Sequence, residues 1–170
     1  PSNLILNGSF EAGSTWPDSW SQDGLANWAS FGAQDGSRCL QVPADIGSVE
    51  QSVAVQQGET YTVSVWIKAA SMSGGVAVFD TQDKYDGAGE GQFIINSTTS
   101  GWEQKTGTFV ATNNSINIRI FAADTNTSGT IYFDNIQVIA VGGATHAIPT
   151  QHLDATVVSS VTTNASGEVS

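Results

Sequence analysis

One cysteine, Cys39, in 170 residues leaves no possibility of an internal disulfide. Basic residues are almost as scarce. Five lysines and arginines face sixteen aspartates and glutamates, a formal net charge of −11. Such a surface repels phosphodiester backbones and anionic lipid alike, which excludes charge-driven nucleic-acid binding. No apolar run reaches the roughly 18 residues that a membrane span requires, so no membrane insertion is expected. Histidine occurs only at His146 and His152, near the C-terminal end. A nucleophilic triad or a multi-histidine zinc centre therefore finds no histidine in the body of the chain. Pro1-Ser2-Asn3 has neither the basic nor the apolar part of a signal peptide, and none is expected there.

Neutral polar residues take the place of charge. Serine and threonine together number 37, and glycine 18. That composition favours β-structure with many tight turns. Period-3.6 patterning is not sustained anywhere, whereas period 2 recurs. Tyr61, Val63, Val65 and Ile67 alternate with Thr62, Ser64, Trp66 and Lys68. Ile116, Ile118 and Ile120 alternate with Asn117, Arg119 and Phe121, and Val49, Gln51, Val53 and Val55 share a face. Thr106 to Val110 and Thr130 to Val141 are further strands. Leu4 to Leu6, Leu40 to Val42, Val76 to Phe79 and Phe93 to Ile95 are shorter ones. Gln57-Gly58-Glu59, Ser73-Gly74-Gly75, Ser100-Gly101, Asn113-Asn114 and Thr127-Ser128-Gly129 mark turns. The pattern predicts an all-β chain, a two-sheet antiparallel jelly-roll β-sandwich with an irregular C-terminal extension. A boundary at Val141-Gly142-Gly143 separates a domain of residues 1–141 from a polar linker or assembly arm, 142–170. The arm has no aromatic residue and two charges, Asp154 and Glu168.

The outward positions have the composition of a sugar-binding surface. Pyranose rings stack their C–H faces on aromatic rings, and their hydroxyls pair with planar polar side chains. Trp66, Lys68, Arg119 and Phe121 form such a platform if their outward face is shared. An exposed tryptophan forgoes about 1.5–3 kcal/mol of burial unless something covers it. A covering loop is the alternative for Trp66, and the aromatic segment with Trp16, Trp20, Trp28 and Phe31 could supply one. Trp20 and Trp28 are expected in the core, and Trp102 follows Ser100-Gly101 at a strand start. Asp80, Asp83 and Asp86 recur every third residue around Tyr85. They read as a solvated acidic loop, as a second cation site, or as a loop meeting sugar hydroxyls through Tyr85. Cys39 reads as a small buried residue. No two strand-borne acids pair on sequence grounds as a glycosidase would need, so an enzyme is not expected.

Four segments carry a family resemblance. They are Asn3-Leu4-Ile5-Leu6-Asn7-Gly8-Ser9-Phe10-Glu11, Gly36-Ser37-Arg38-Cys39-Leu40-Gln41-Val42, the run Gly58 to Ala69, and Ile131-Tyr132-Phe133-Asp134-Asn135-Ile136-Gln137-Val138. In this order they resemble carbohydrate-binding modules of the family 4, 9 and 22 type across residues 3 to 140. The resemblance implies a sandwich with its first and last strands adjacent. It also implies a structural calcium where those strands meet the loop before Leu40, with Ser9, Glu11, Arg38 and Asp134 at the ligand positions. Arg38 could offer only its carbonyl, because a guanidinium has no acceptor. The other reading is that Glu11 and Asp134 are ordinary solvated acids at strand ends. The function implied is non-catalytic binding of a polysaccharide or cell-surface glycan, in a secreted (extracellular) or virion-surface protein. The alternative is a structural virion component, either a decoration or a tail-associated protein. It would use the sandwich as an outward knob and 142–170 to contact other subunits.

Overall fold

Alternating apolar residues pack inward wherever they occur in strands. The computed structural model describes residues 2–24, 26–43, 48–73, 77–81, 93–122 and 128–142. Among them are ten strands and no helix. In chain order these are β1 (Ser21–Asp23), β2 (Asn27–Ala29), β3 (Cys39–Pro43), β4 (Ser48–Ala54), β5 (Thr60–Ser73), β6 (Ala77–Asp80), β7 (Phe93–Ile95), β8 (Glu103–Val110), β9 (Ser115–Ala122) and β10 (Ser128–Ala140). They form two five-stranded antiparallel sheets, ordered β1-β4-β9-β6-β7 and β2-β3-β10-β5-β8. The result is the two-sheet β-sandwich that the periodicity predicts.

The inward sets are those of the alternation. Tyr61, Val63, Val65 and Ile67 of β5 meet Ile116, Ile118 and Ile120 of β9, with Ile131, Phe133, Ile136 and Val138 of β10. All are buried, at about 1.5–3 kcal/mol for each large side chain. Tyr61 stacks on Phe109 at 5.5 Å, and its hydroxyl accepts the Gln56 N–H at 2.8 Å. The turn at Gly58 closes as expected, with the Glu59 N–H donating to the Gln56 carbonyl at 3.1 Å.

Three expectations need correction. Leu4 to Leu6 is not a strand. That segment runs beside β10 in turns, with the Leu4 N–H on the Val138 carbonyl and the Ile136 N–H on the Gly8 carbonyl. The first strand is β1, and it lies in the other sheet, so the first and last strands are not adjacent; β10 pairs with β3 and β5, and the unstranded segment adds backbone hydrogen bonds near its C-terminal end. Its contact is close. A Cβ on Gly8 would stand 2.1 Å from the Ile136 carbonyl oxygen, which only glycine avoids. Asn3 fastens the same junction, donating to the Ile136 carbonyl and accepting the Ile5 and Val138 N–H groups. Secondly, the aromatic stretch around Trp20 and Trp28 holds two strands, β1 and β2. Three residues each are too few to show a period. Thirdly, β5 and β8 run beyond the expected Tyr61 to Lys68 and Thr106 to Val110, whereas β10 nearly matches the expected Thr130 to Val141. The expectations for Asp83, Tyr85, Asp86, His146, His152 and residues 143–170 fall outside the described residues.

Gln51 is the polar member of an inward set and is buried. Its Oε1 accepts the Leu6 N–H at 2.9 Å, and its Nε2 donates to the Leu6 carbonyl at 2.9 Å and the Ser19 carbonyl at 3.1 Å. It replaces a missing strand partner for the N-terminal segment. Gln51→Leu keeps the volume but removes all three bonds, so unfolding in denaturant should reveal a loss of about 2 kcal/mol or more. A loss below about 0.5 kcal/mol would mean that water satisfies those backbone groups instead.

Candidate functional site

Asp134 lies on β10 between the inward Phe133 and a bulge. The register with β5 shifts between Asp134 and Gln137, and Asn135 adopts φ +49°. Asp134 is nevertheless fully buried, because the β2–β3 loop folds over it. Its Oδ2 accepts the Gln34 N–H at 2.8 Å and the Asp35 N–H at 3.1 Å, and its Oδ1 accepts the Asn135 N–H at 2.7 Å. Burial pushes its pKa up, the three N–H groups pull it down, and the nearby Glu11 charge adds to the rise; the net direction is upward.

Glu11 comes to the same locus from the N-terminal segment. Its carboxylate accepts the Ser37 N–H at 2.9 Å, the Ser37 hydroxyl at 2.8 Å and the Arg38 N–H at 2.7 Å. Burial raises its pKa, but the combined hydrogen bonds and the Arg38 charge outweigh that, so the net shift is downward. Gly36, at φ +68°, gives the loop room to close: a Cβ there would stand 2.5 Å from Glu11 Oε1. Arg38 lays its guanidinium over Trp28 at 4.0 Å. Neither acid forms an ion pair among the described residues. Gln34 Oε1 is buried with no hydrogen-bond partner among the described residues. The two acids offer only carboxylate oxygens, the ligand type that suits a hard cation such as calcium. No cluster of three or more His, Cys, Asp or Glu side chains exists among the described residues. Carbonyls, such as those of Ser9 and Arg38, would have to complete the shell. Cys39 is buried beside this locus, its thiol pushed up to about 11 by burial first and by Asp134 second.

The four platform residues do not share a face. Alternation separates inside from outside but does not say which sheet a strand joins. Because β5 and β9 belong to different sheets, Trp66 and Lys68 point out of one side of the sandwich and Arg119 and Phe121 out of the other.

On the β1-β4-β9-β6-β7 sheet, β4 and β9 align Ser48 with Phe121, Glu50 with Arg119 and Ser52 with Asn117. The inward Val49 and Gln51 leave Glu50 facing out. The Arg119 guanidinium lies 4.5 Å from the centre of the Phe121 ring. Ile94, 56% exposed on β7, extends the Phe121 row through the backbone of Val78. A row of planar polar groups thus runs beside an apolar row.

On the other sheet, Lys68 is a direct cross-strand partner of Tyr132. Its ammonium sits 4.7 Å from the Tyr132 ring and 5.1 Å from the Trp102 ring, and donates to the Gly32 carbonyl at 3.3 Å. Trp102 also donates to Gly32, at 3.2 Å. The indole N–H groups of Trp16, Trp20 and Trp28 are likewise spent on carbonyls, of Trp20, Asn7 and Phe10. Trp20 is buried as expected and Trp28 half-buried. Glu50, Asn117 and Tyr132 were missed as site residues, although each occupies a position whose neighbours on the strand are inward.

Residues 2–129 match the family model described as "Carbohydrate binding domain". No curated protein matches the chain. Solved structures with the same fold include a family 16 carbohydrate-binding module, at 21% identity and TM-score 0.61 over 81% of this chain and 99% of that one. A CBM22 xylan-binding domain from Paenibacillus barcinonensis Xyn10C matches at 20% identity and TM-score 0.54, over 78% of this chain and 91% of that one. The enzymatically active domain of tailspike protein 4 of bacteriophage CBA120 matches at 13% identity and TM-score 0.55. That match covers 82% of this chain but 21% of the tailspike chain.

The two acids should titrate with opposite sign. Asp134 has a folded pKa above its ordinary 3.8, so its favourable contribution is complete below that value and is lost as pH rises through the raised one. Glu11 is lowered from 4.5, so its contribution is present above 4.5 and is lost as pH falls through the lowered value. Denaturation at stepped pH in chelator should show Asp134→Asn removing the decline on the rising side and Glu11→Gln removing the loss on the falling side. An unchanged profile in either variant would assign that limb to another group.

Proposed function

The chain belongs to the carbohydrate-binding domain family of the 4 and 9 type, and on that premise we propose that it binds glycans without catalysis, through the outer face of the β1-β4-β9-β6-β7 sheet. The observation that carries this choice is the pairing of rows there. Phe121 and Ile94 offer an apolar strip for pyranose C–H faces, while Glu50, Asn117 and Arg119 offer fixed hydrogen-bonding groups beside it. Arg119 is braced on Phe121, which lowers the entropy lost when it meets a hydroxyl. Affinity of one module would be micromolar to millimolar, about −8 to −4 kcal/mol, with useful retention coming from several copies.

Calcium completes the reading as a structural ion held by Glu11 and Asp134 with the Ser9 and Arg38 carbonyls. It would add positive charge beside two acids that form no ion pair among the described residues, and would tie the N-terminal segment to β10 and the β2–β3 loop. The support is the pair of carboxylates brought to one locus by the β2–β3 loop. The location that suits this role is extracellular, whether in a secreted protein or on a virion surface. A second reading draws on the tailspike likeness: a virion component whose knob is this sandwich and whose residues 142–170 bind other subunits.

A glycan array of the full chain, with calcium and with chelator, tests the proposal. Binding to one polysaccharide class is expected. Arg119→Ala and Phe121→Ala should each weaken it by about tenfold, or 1.4 kcal/mol, at unchanged melting temperature. A folded protein that binds no glycan would leave the virion reading, in which deletion of 142–170 abolishes assembly. Chelator should lower the melting temperature of the wild type but not of Asp134→Asn; equal shifts in both would remove calcium from this locus.

A further inference from the structure

The side of the sandwich opposite the proposed glycan face carries a second arrangement with different chemistry. Trp66 and Lys68 lie on the outer face of β5, two residues and therefore about 7 Å apart along the strand. Four of the five tryptophans donate their indole N–H to a backbone carbonyl. Among the described residues Trp66 has no hydrogen-bond partner, and it is partly exposed. Its indole N–H is thus the one of the five not spent on a described carbonyl. Gln104, its direct partner on β8, is exposed beside it. Asp134, its partner on β10, is sealed beneath the β2–β3 loop with its oxygens on three N–H groups.

Lys68 is a cation held in place without an acid. Two aromatic rings and the Gly32 carbonyl fix its ammonium, and among the described residues no carboxylate lies within ion-pairing distance. An ammonium has three N–H donors, and the carbonyl takes one. Two remain, on a charge whose position no longer depends on a flexible stem. Aromatic rings stabilise a cation but do not neutralise it. In a chain of net charge −11, this is a place where an anion is drawn rather than repelled.

We propose that this face is a second glycan site, specific for uronate-bearing sugars, with a pyranose ring stacked on Trp66 and its carboxylate on the Lys68 ammonium. The site is independent of the Arg119–Phe121 face: the two lie on opposite sides of the sandwich and share no residue. Tyr132 and Trp102 position the ammonium and do not themselves need to touch the sugar. The neutral glycans suited to the first face would gain nothing from Lys68.

The test uses the full chain labelled with ¹⁵N, titrated with oligogalacturonate, oligomannuronate and oligoglucuronate, and with the carboxyl-reduced form of each. At least one uronate should move the Trp66 indole N–H signal, assigned by its loss in Trp66→Phe, while its reduced form does not. Trp66→Ala should weaken binding about tenfold through the lost ring contact. Lys68→Gln should weaken it about threefold to fivefold and remove its dependence on salt, as loss of a half-exposed ion pair would. Phe121→Ala should leave uronate binding intact while weakening neutral-glycan binding about tenfold. Four results would each overturn the proposal: no uronate bound by the folded wild type, equal binding of reduced and acidic forms, undiminished binding by folded Lys68→Gln, or loss of uronate binding in Phe121→Ala. A Trp66→Ala protein that fails to fold leaves the indole shift and the lysine variant to decide.

Discussion

A carboxylate without solvent must find donors within the chain, and at Asp134 that demand organises one whole side of the molecule. The donors it finds are the N–H groups of Gln34 and Asp35, which belong to a loop remote in sequence. Meeting them draws the β2–β3 loop across the outer face of β10. The same loop then encloses Cys39, offers the Gly32 carbonyl to Lys68 and Trp102, and gives Glu11 its contacts at Ser37 and Arg38. Removing one partner from a buried charge of this kind costs more than the pair contributes. The loop is therefore a consequence of the carboxylate, and the aromatic clamp around Lys68 is a consequence of the loop.

Much of the sandwich was legible because period 2 is a strong signal when one face of each sheet is buried. The Ile116, Ile118 and Ile120 stripe and the Tyr61 to Ile67 stripe are inward as read. What alternation does not encode is partnership. Nothing in Trp66-Ile67-Lys68 or Arg119-Ile120-Phe121 says which strands lie beside them, so one platform was expected where two sides exist. The N-terminal segment was misread for a related reason. Leu4, Ile5 and Leu6 look like a strand, but Asn3, Gln51 and Gly8 bind that backbone through side chains and a close contact, which leave no strand pattern. The acid locus became legible only through the family resemblance, since Glu11 and Asp134 stand more than a hundred positions apart.

The likeness to solved modules establishes the fold, and fold alone does not select a ligand. Selection comes from what each outer surface offers. One side sets amide, carboxylate and guanidinium groups along an apolar strip. The other fixes a single cation between rings beside an unpaired indole. These differ in charge and in the geometry of their donors, while the framework between them is common.

The stitches between Asn3 and β10 join residues 133 and 135 positions apart. During synthesis the first residues must wait, unpaired, until nearly the entire domain has been made. Contacts of such separation are costly to close early and slow a chain's folding. The Gly58 turn that carries the chain from β4 in one sheet to β5 in the other, and the β5–β8 pairing, can form well before then. The beginning of the chain is thus the last part to find its place, a latch that shuts on a sandwich already assembled.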